Sequence, residues 1–294
     1  MSDAGAAILT IWGAGGSAPA ASGARARYGG ETVCFGLMHE DKLVDHSSLL
    51  VDLGSGARDA GRAIAAGARA AQTPPRVEVL LSHMHLDHVA GAPFFEPFYC
   101  KDARVNLHCG LFETAQAFGD KMRGAVAPPW FPVEPLSFGA AHFHVFKPDA
   151  PFMAAEMKVT AAAMHHPGGC MGFRIEGADW ALAVIGDHEH GCPVADAAVR
   201  RLADGATVMI YDAAYDANSY PAHEGWGHST WQKGVELAQE AGVAMTFLHH
   251  HLPDRTDDAL DIIDARVRAA DPTVCLARQG MRLRLSANGP EVLG

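Results

Sequence analysis

Seven consecutive residues, Ser82-His83-Met84-His85-Leu86-Asp87-His88, constrain this chain more than any other stretch of it. They follow the run Val77-Glu78-Val79-Leu80-Leu81, which reads as a strand buried in a sheet. Three imidazoles and a carboxylate thus fall within six positions at a strand end. Buried without partners, each such group would cost roughly 1–3 kcal/mol. Gathered on a tight turn, they form a nitrogen-rich donor set suited to a borderline divalent cation. The chain must therefore fold so that a core strand ends in a polar, concave place.

The histidines elsewhere are also grouped. The 294 residues include 17 His, against 17 Arg and 6 Lys, and fourteen of the histidines fall in tight sets. Besides 83/85/88 these are His142/His144, His165/His166, His188/His190, His223/His228 and His249/His250/His251. His142 and His144, two apart, share one face of a strand and suit an edge or a solvated surface. A net charge of −11 argues against a nucleic-acid partner, because binding a phosphate backbone depends on Lys and Arg displacing counterions. The six cysteines include no C-x-x-C pair, so they read as reduced thiols packed as small apolar groups. No apolar run approaches the ~18 residues of a membrane span. The first 23 residues lack a basic start and read as no signal peptide, so a cytoplasmic protein is expected.

Strand-like runs alternate with Ala-rich helical stretches along the whole chain. The pattern predicts strands at 8–12, 33–38, 49–52, 77–82, 104–108, 142–146, 158–164, 172–175, 180–185, 207–211, 244–248 and 274–276. Helices are expected at 57–70, 111–118, 193–202, 230–241 and 257–269, with Asp257 and Asp258 suiting a helix start. Residues 14–30 and 124–135 read as loops. The segment Pro128-Pro129-Trp130-Phe131-Pro132 could roof a pocket or simply pack as a loop. This is an α/β layered chain, and 1–294 is expected to be one domain.

The H-x-H-x-D-H pattern resembles the metallo-β-lactamase superfamily, and the resemblance runs over nearly the whole chain. It implies a four-layer αββα fold, with two mixed sheets sandwiched between helices and two divalent metal ions at one edge. His83, His85 and His166 would bind the first ion, and Asp87, His88 and His250 the second, with Asp187 bridging. Within 249–251 the choice of His250 follows the family's two-histidine segment before a proline. Asp52, in Leu50-Val51-Asp52-Leu53-Gly54-Ser55-Gly56, would support the metal loop from behind. The nitrogen-rich set favours zinc, and a His/Asp set also accommodates manganese or iron.

Three further segments resemble a bacterial subgroup near the tRNA 3′-processing endonucleases and the cyclic-nucleotide or cyclic-phosphate phosphodiesterases. They are Ile11 to Pro19, Tyr28 to Cys34, and Gly225-Trp226-Gly227-His228-Ser229-Thr230-Trp231. Gly15 and Glu31 depart from the subgroup, which often carries Arg and Asn there. By this resemblance His228 faces the metals as a proton donor held by Asp212, and Asp87 orients a water activated between the ions for attack on phosphorus. Either Ser229 or Thr230 would cap the following helix. His188, His190 and His223 are left between packing and substrate contact.

The expected activity is hydrolysis of a small phosphodiester, such as a cyclic nucleotide or a cyclic phosphate. No basic cluster of the kind that holds tRNA is visible. Lactonase, thioesterase or arylsulfatase chemistry on the same metals is the alternative, and a non-catalytic metal-containing binding or sensor protein is a third. Relatives are often dimers, so a homodimer is conceivable.

Overall fold

The computed structural model describes residues 5–20, 23–40 and 47–293. Part of the 14–30 loop and the first residues of the amino-terminal stretch therefore lie outside the described residues. One sheet comprises β1 (Ala7–Gly13), β2 (Cys34–His39), β3 (Ser47–Val51), β4 (Arg76–Leu81), β5 (Arg104–Cys109), β6 (Ala141–Val145), β14 (Arg282–Ser286) and β15 (Gly289–Val292). Its spatial order is β15-β14-β1-β2-β3-β4-β5-β6, antiparallel up to β3 and parallel from β3 to β6. The other comprises β7 (Phe152–Ala154), β8 (Met157–Met164), β9 (Cys170–Glu176), β10 (Ala181–Ile185), β11 (Val208–Asp212), β12 (Met245–His249) and β13 (Val274–Leu276). Its order is β13-β12-β11-β10-β9-β8-β7, parallel from β10 to β13 and antiparallel elsewhere. Both sheets are therefore mixed.

Strand alternation builds three apolar layers from this pair. Between the sheets, Leu9, Ile11, Phe35 and Val51 meet Val159, Phe173, Leu182, Ile210 and Phe247, all buried. On the outer side of the first sheet, Val77, Val79 and Leu81 pack under α1 (Ala57–Ala71) and α3 (Ala115–Val126) through Ile64, Phe118 and Met122. Leu80, one residue out of phase, joins the layer between the sheets. On the outer side of the second sheet, Met209 and Tyr211 pack under α4 (Pro193–Ala203), α5 (Trp231–Glu240) and α6 (Asp257–Ala270). The result is the αββα arrangement of the metallo-β-lactamase fold.

Local chemistry sets the helix starts. Threonine hydroxyls at 114, 230 and 256 accept backbone N–H groups at the starts of α3, α5 and α6. The cap at Thr114 corrects one expectation: the helix read at 111–118 begins at Ala115 and runs to Val126, taking residues 124–126 out of the proline-rich loop. Three strands went unread. β7 has only three residues, and β14 and β15 form a hairpin whose Arg282, Arg284 and Pro290 dilute the apolar alternation.

Candidate metal centre

The parallel strands place the chemistry. Asp52, Ser82, Asp187, Asp212 and His250 stand at or just past the carboxyl ends of β3, β4, β10, β11 and β12. Register holds them level, with Ile185 opposite Tyr211 and Asp212 opposite His249. His166 arrives from the end of β8. After β4 the chain turns through His85, in extended conformation, into the single turn α2 (Leu86–Val89), so His83, His85, Asp87 and His88 converge.

Two sets of donors result, and a third grouping of Asp187, His228 and His250 overlaps both. His83, His85, His166 and Asp187 form one, and Asp87, His88 and His250 the other, the ligand atoms of each lying within 4.8 Å of one another. Asp187 stands between them. Its Oδ2 is 3.6 Å from Nε2 of His83, His166 and His250, and its Oδ1 is 3.2 Å from His88 Nε2. The Oδ2 of Asp87 lies 3.5 Å from Nε2 of both His88 and His250.

Three of the imidazoles, those of His83, His88 and His166, are held by a group on their far side. Asp52, in left-handed backbone geometry at φ 63°, accepts Ser82 N–H and Ser82 Oγ–H at 2.7 Å each and His88 Nδ1–H at 2.7 Å. Ser82 Oγ, its proton given to Asp52, accepts from His83 Nδ1 at 3.0 Å. His166 Nδ1–H donates to Gly227 O at 2.8 Å, which leaves its Nε2 lone pair facing His85 Nδ1 at 3.0 Å. Ser17 N–H donates to Asp87 Oδ2 at 2.7 Å, and Gly16 next to it must lack a side chain, since a Cβ would stand 2.2 Å from the His250 ring.

This donor set fits divalent cations. Nε2 of His83, His88 and His250 and Oδ1 of Asp187 are buried without an aligned hydrogen-bond partner. Groups so placed are costly unless a cation completes them. The electrostatics agree. Burial disfavours a charged His250, yet Asp187, Asp87 and Asp212 outweigh it and hold its pKa at about 9. Burial opposes the imidazolium of His88 too, but Asp187 and Asp52 push its pKa well above the ordinary value. His83, dominated by burial, falls to about 2. Burial alone would raise the Asp187 carboxyl, and the His250 and His88 charges instead hold it well below the carboxylate range. The carboxylates thus favour positive charge at His88 and His250, while burial disfavours it at His83 and His166.

Across the clusters, His228 lies with its ring centroid 4.2 Å from that of His250 and 5.3 Å from that of His166. Its Nδ1 donates to Asp212 Oδ2 at 2.8 Å. The same nitrogen is 4.0 Å from Asp187, but with its proton on Asp212 it is no ligand. Asp212 is fully buried and also accepts the N–H groups of His188 and Ala214. Burial raises the Asp212 carboxyl and the His228 charge lowers it, with the lowering dominant.

The remaining candidates separate cleanly. His249 sits edge-on to Phe35 and His251 bonds Ala277 O, so His250 is the one of the three whose ring reaches the clusters. His165 bonds Glu189 O, and His188 bridges His165 N and Asp196. His190 meets Ser229 Oγ at 2.9 Å. His223 stacks on Tyr215 at 4.4 Å. Thr230, rather than Ser229, caps α5. Glu31 pairs with Arg58 at 3.1 Å and its carbonyl accepts Gly15 N–H. Phe131 packs on Phe94 at 5.4 Å, whereas Trp130 is 79% exposed.

Two residues escaped the reading of the sequence. Ser82 relays Asp52 to His83, and the serine directly before the first ligand-like histidine was the available signal. Glu189 is buried, its Oε1 accepting Gly225 N–H at 2.7 Å and Tyr220 O–H at 2.9 Å and its Oε2 accepting Gly227 N–H at 2.7 Å. It stands between His188 and His190, where only histidines drew notice.

An αββα sandwich with paired His/Asp clusters at one edge defines a class of metal-binding protein. Residues 48–251 match the beta-lactamase superfamily domain, and the chain belongs to that family. Ribonuclease BN of Escherichia coli O1:K1 is 25% identical over 240 residues, covering 62% of this chain and 72% of that protein. Ribonuclease Z of Thermoplasma volcanium is 38% identical over 61 residues, which are 21% of this chain and only 20% of that relative's length. The metallo-beta-lactamase fold protein YhfI from Bacillus subtilis superposes with a TM-score of 0.67 at 18% identity, over 96% of this chain and 100% of that one.

Proposed function

We propose that the protein is a dinuclear metal-dependent phosphodiesterase acting on a small, cyclic phosphodiester. His83, His85, His166 and Asp187 would hold one ion, and Asp87, His88, His250 and the shared Asp187 the second. When bound, the two ions lower the pKa of a water and neutralise charge on the phosphate oxygens. The nitrogen-rich donors favour zinc.

The observation that carries the reading is the His228–Asp212 pair set against both clusters. Cleaving a phosphodiester expels an alkoxide, which needs a proton. Asp212 fixes Nδ1–H of His228 and stabilises the imidazolium, so Nε2 carries the transferable proton. Asp87, anchored by Ser17 N–H, orients the attacking water. Glu189 fixes the backbone on which His228 sits.

Ribonuclease names among the relatives support phosphodiester chemistry. The net charge of −11 supports a small substrate over a long polyanion. All six cysteines are unpaired, which supports a reducing compartment such as the cytoplasm. The test is a panel of cyclic and linear diesters, lactones and thioesters offered to zinc-loaded protein, with metal content measured in parallel. Turnover of diesters is expected; turnover of lactones or thioesters with none of any diester would overturn the reading.

A further inference from the structure

Three consecutive residues just past β10 hold His228 from both sides. Asp187 stands between the two donor sets. The N–H of His188 donates at 3.2 Å to Asp212 Oδ2, the oxygen that also accepts from His228 Nδ1 at 2.8 Å. Glu189 reaches the other side of His228 through its side chain. Its Oε2 accepts Gly227 N–H and its Oε1 accepts Gly225 N–H, at 2.7 Å each, and Tyr220 O–H completes the carboxylate at 2.9 Å.

The same carboxylate bears on His166. Gly227 gives its N–H to Glu189, while its carbonyl accepts His166 Nδ1–H at 2.8 Å. The contact is close enough that a Cβ at Gly227, which takes φ 85°, would lie 2.3 Å from His166 Nδ1. The main chain of Glu189 is tied to the neighbouring residue: its N–H donates to His165 O at 2.8 Å, and His165 Nδ1 donates to Glu189 O at 3.2 Å. The segments that carry His166, Asp187 and His228 therefore meet at one residue. Glu189 is 4% exposed, and the three donors its carboxylate accepts are all neutral. Burying a charge on neutral donors is costly, and an apolar side chain of similar volume packs at lower cost. What the carboxylate supplies is fixed geometry, through short charge-assisted bonds to two N–H groups of one loop.

We propose that Glu189 is a positioning residue that sets where His228 stands relative to Asp187 and His166, and thereby controls delivery of the proton to the leaving oxygen. The proposal rests on the phosphodiesterase reading. In that reaction a water oxygen bonds to phosphorus, the ester P–O bond breaks, and the Nε2 proton of His228 passes to the departing oxygen. Glu189 touches none of these atoms. It acts through Gly227, on His228 by the chain and on His166 by the carbonyl.

The experiment offers the zinc-loaded protein two diesters. One is bis(4-nitrophenyl) phosphate, whose phenolate leaves without a proton; the other is glycerol 1,2-cyclic phosphate, whose alkoxide needs one. Glu189→Gln keeps one acceptor oxygen and puts an amide that cannot accept in place of the other. For the cyclic diester kcat should fall by about 100-fold, the cost of an ångström-scale misplacement, while kcat for the nitrophenyl ester falls far less and KM for both stays near wild type. Tyr220→Phe removes one bond and leaves the carboxylate, so it should skew the two rates the same way by less, and it serves where the Gln variant fails to fold. Equal losses on the two diesters, or no loss on either, overturn the proposal. A zinc titration of apo protein reads the His166 side without turnover, with affinity for one of two ions expected to fall by about 10–100-fold in Glu189→Gln. Should wild type cleave neither diester, the phosphodiesterase reading fails by itself; the titration then decides the positioning role, and an unchanged zinc affinity overturns it.

Discussion

Two groups of histidines gather in this molecule and differ in kind. At the edge of the sandwich, His83, His85, His88, His166 and His250 crowd around Asp87 and Asp187. On the inward face of the first sheet, near its β6 edge, His108 and His144 stack at 4.8 Å beside Glu78 and Asn106. In the second group the side chains answer one another. His108 Nε2 meets Glu78 at 2.6 Å, Asn106 donates to Glu78 at 2.7 Å, and His144 Nε2 donates to Asn106 at 3.2 Å. In the first group Nε2 of three imidazoles and an oxygen of Asp187 are buried without aligned partners. A metal centre is marked by lone pairs left facing a common point, not by the number of histidines.

The largest effects should follow from removing what those lone pairs share. Asp187→Asn takes away the charge lying between both clusters, so metal content should fall below two ions per chain. Diester hydrolysis should drop by at least the ~100-fold that loss of even a supporting residue can cost a metal site. His108→Ala should leave metal content and turnover as they are. A variant of His108 that lost metal would erase the distinction between the groups. Next in size is His228→Ala, which should lower kcat by roughly 10²–10⁴ while both ions stay bound, as expected of a proton donor that is not a ligand. Loss of metal along with activity in that variant would move His228 into the ligand set.

The sequence made the polar clusters legible because the donor residues sit next to one another: H-x-H-x-D-H on one turn, His-Pro-Gly-Gly, Gly-Asp, and the triple histidine. Strand ends at one edge then bring these short segments together, and the resemblance supplied which segments belong together. What could not be read is set by contacts remote in sequence. Glu189 matters because of two glycine N–H groups 36 and 38 residues away. The choice of His250 over its neighbours goes with its left-handed backbone, φ 66°, at the one position of the three whose ring joins the clusters. The β14–β15 hairpin is held by pairing with β1, at the opposite end of the chain, while its own residues carry little strand signal.

A smaller effect lies in the ring of support. Asp52→Asn keeps the shape of the carboxylate but weakens its hold on His88 Nδ1 and Ser82 Oγ. Metal affinity should fall by about 10–100-fold, the range for such outer partners, with the fold intact. A metal titration of the apo protein reads this directly, and an unchanged affinity would mean that His88 is oriented by its own backbone.

The smallest effect tests the satisfied group on its own terms. Burial raises the Glu78 carboxyl, but hydrogen bonds from His108 and Asn106 outweigh it and leave its pKa below the ordinary value. A carboxyl whose folded pKa is depressed adds stability above its unfolded pKa of about 4.3 and loses it as pH falls through the lower folded value. Glu78→Gln should therefore lower stability at pH 7 by about 1 kcal/mol, the scale of a partly exposed pair. The gap between variant and wild type should begin to narrow as the pH falls past the unfolded value of about 4.3 and close once it passes the lower folded value, where the wild-type carboxyl is protonated too. Urea titrations of both proteins at pH 7 and at pH 3.5 give the comparison. The clusters at the sandwich edge lose their hold on metal in the same direction of pH but for a different reason, because low pH puts protons on the imidazole nitrogens that an ion would use. If the Glu78 gap persisted unchanged into acid, its partners would be packing against the side chain rather than stabilising its charge, and the two histidine groups would differ by less than their hydrogen bonds indicate.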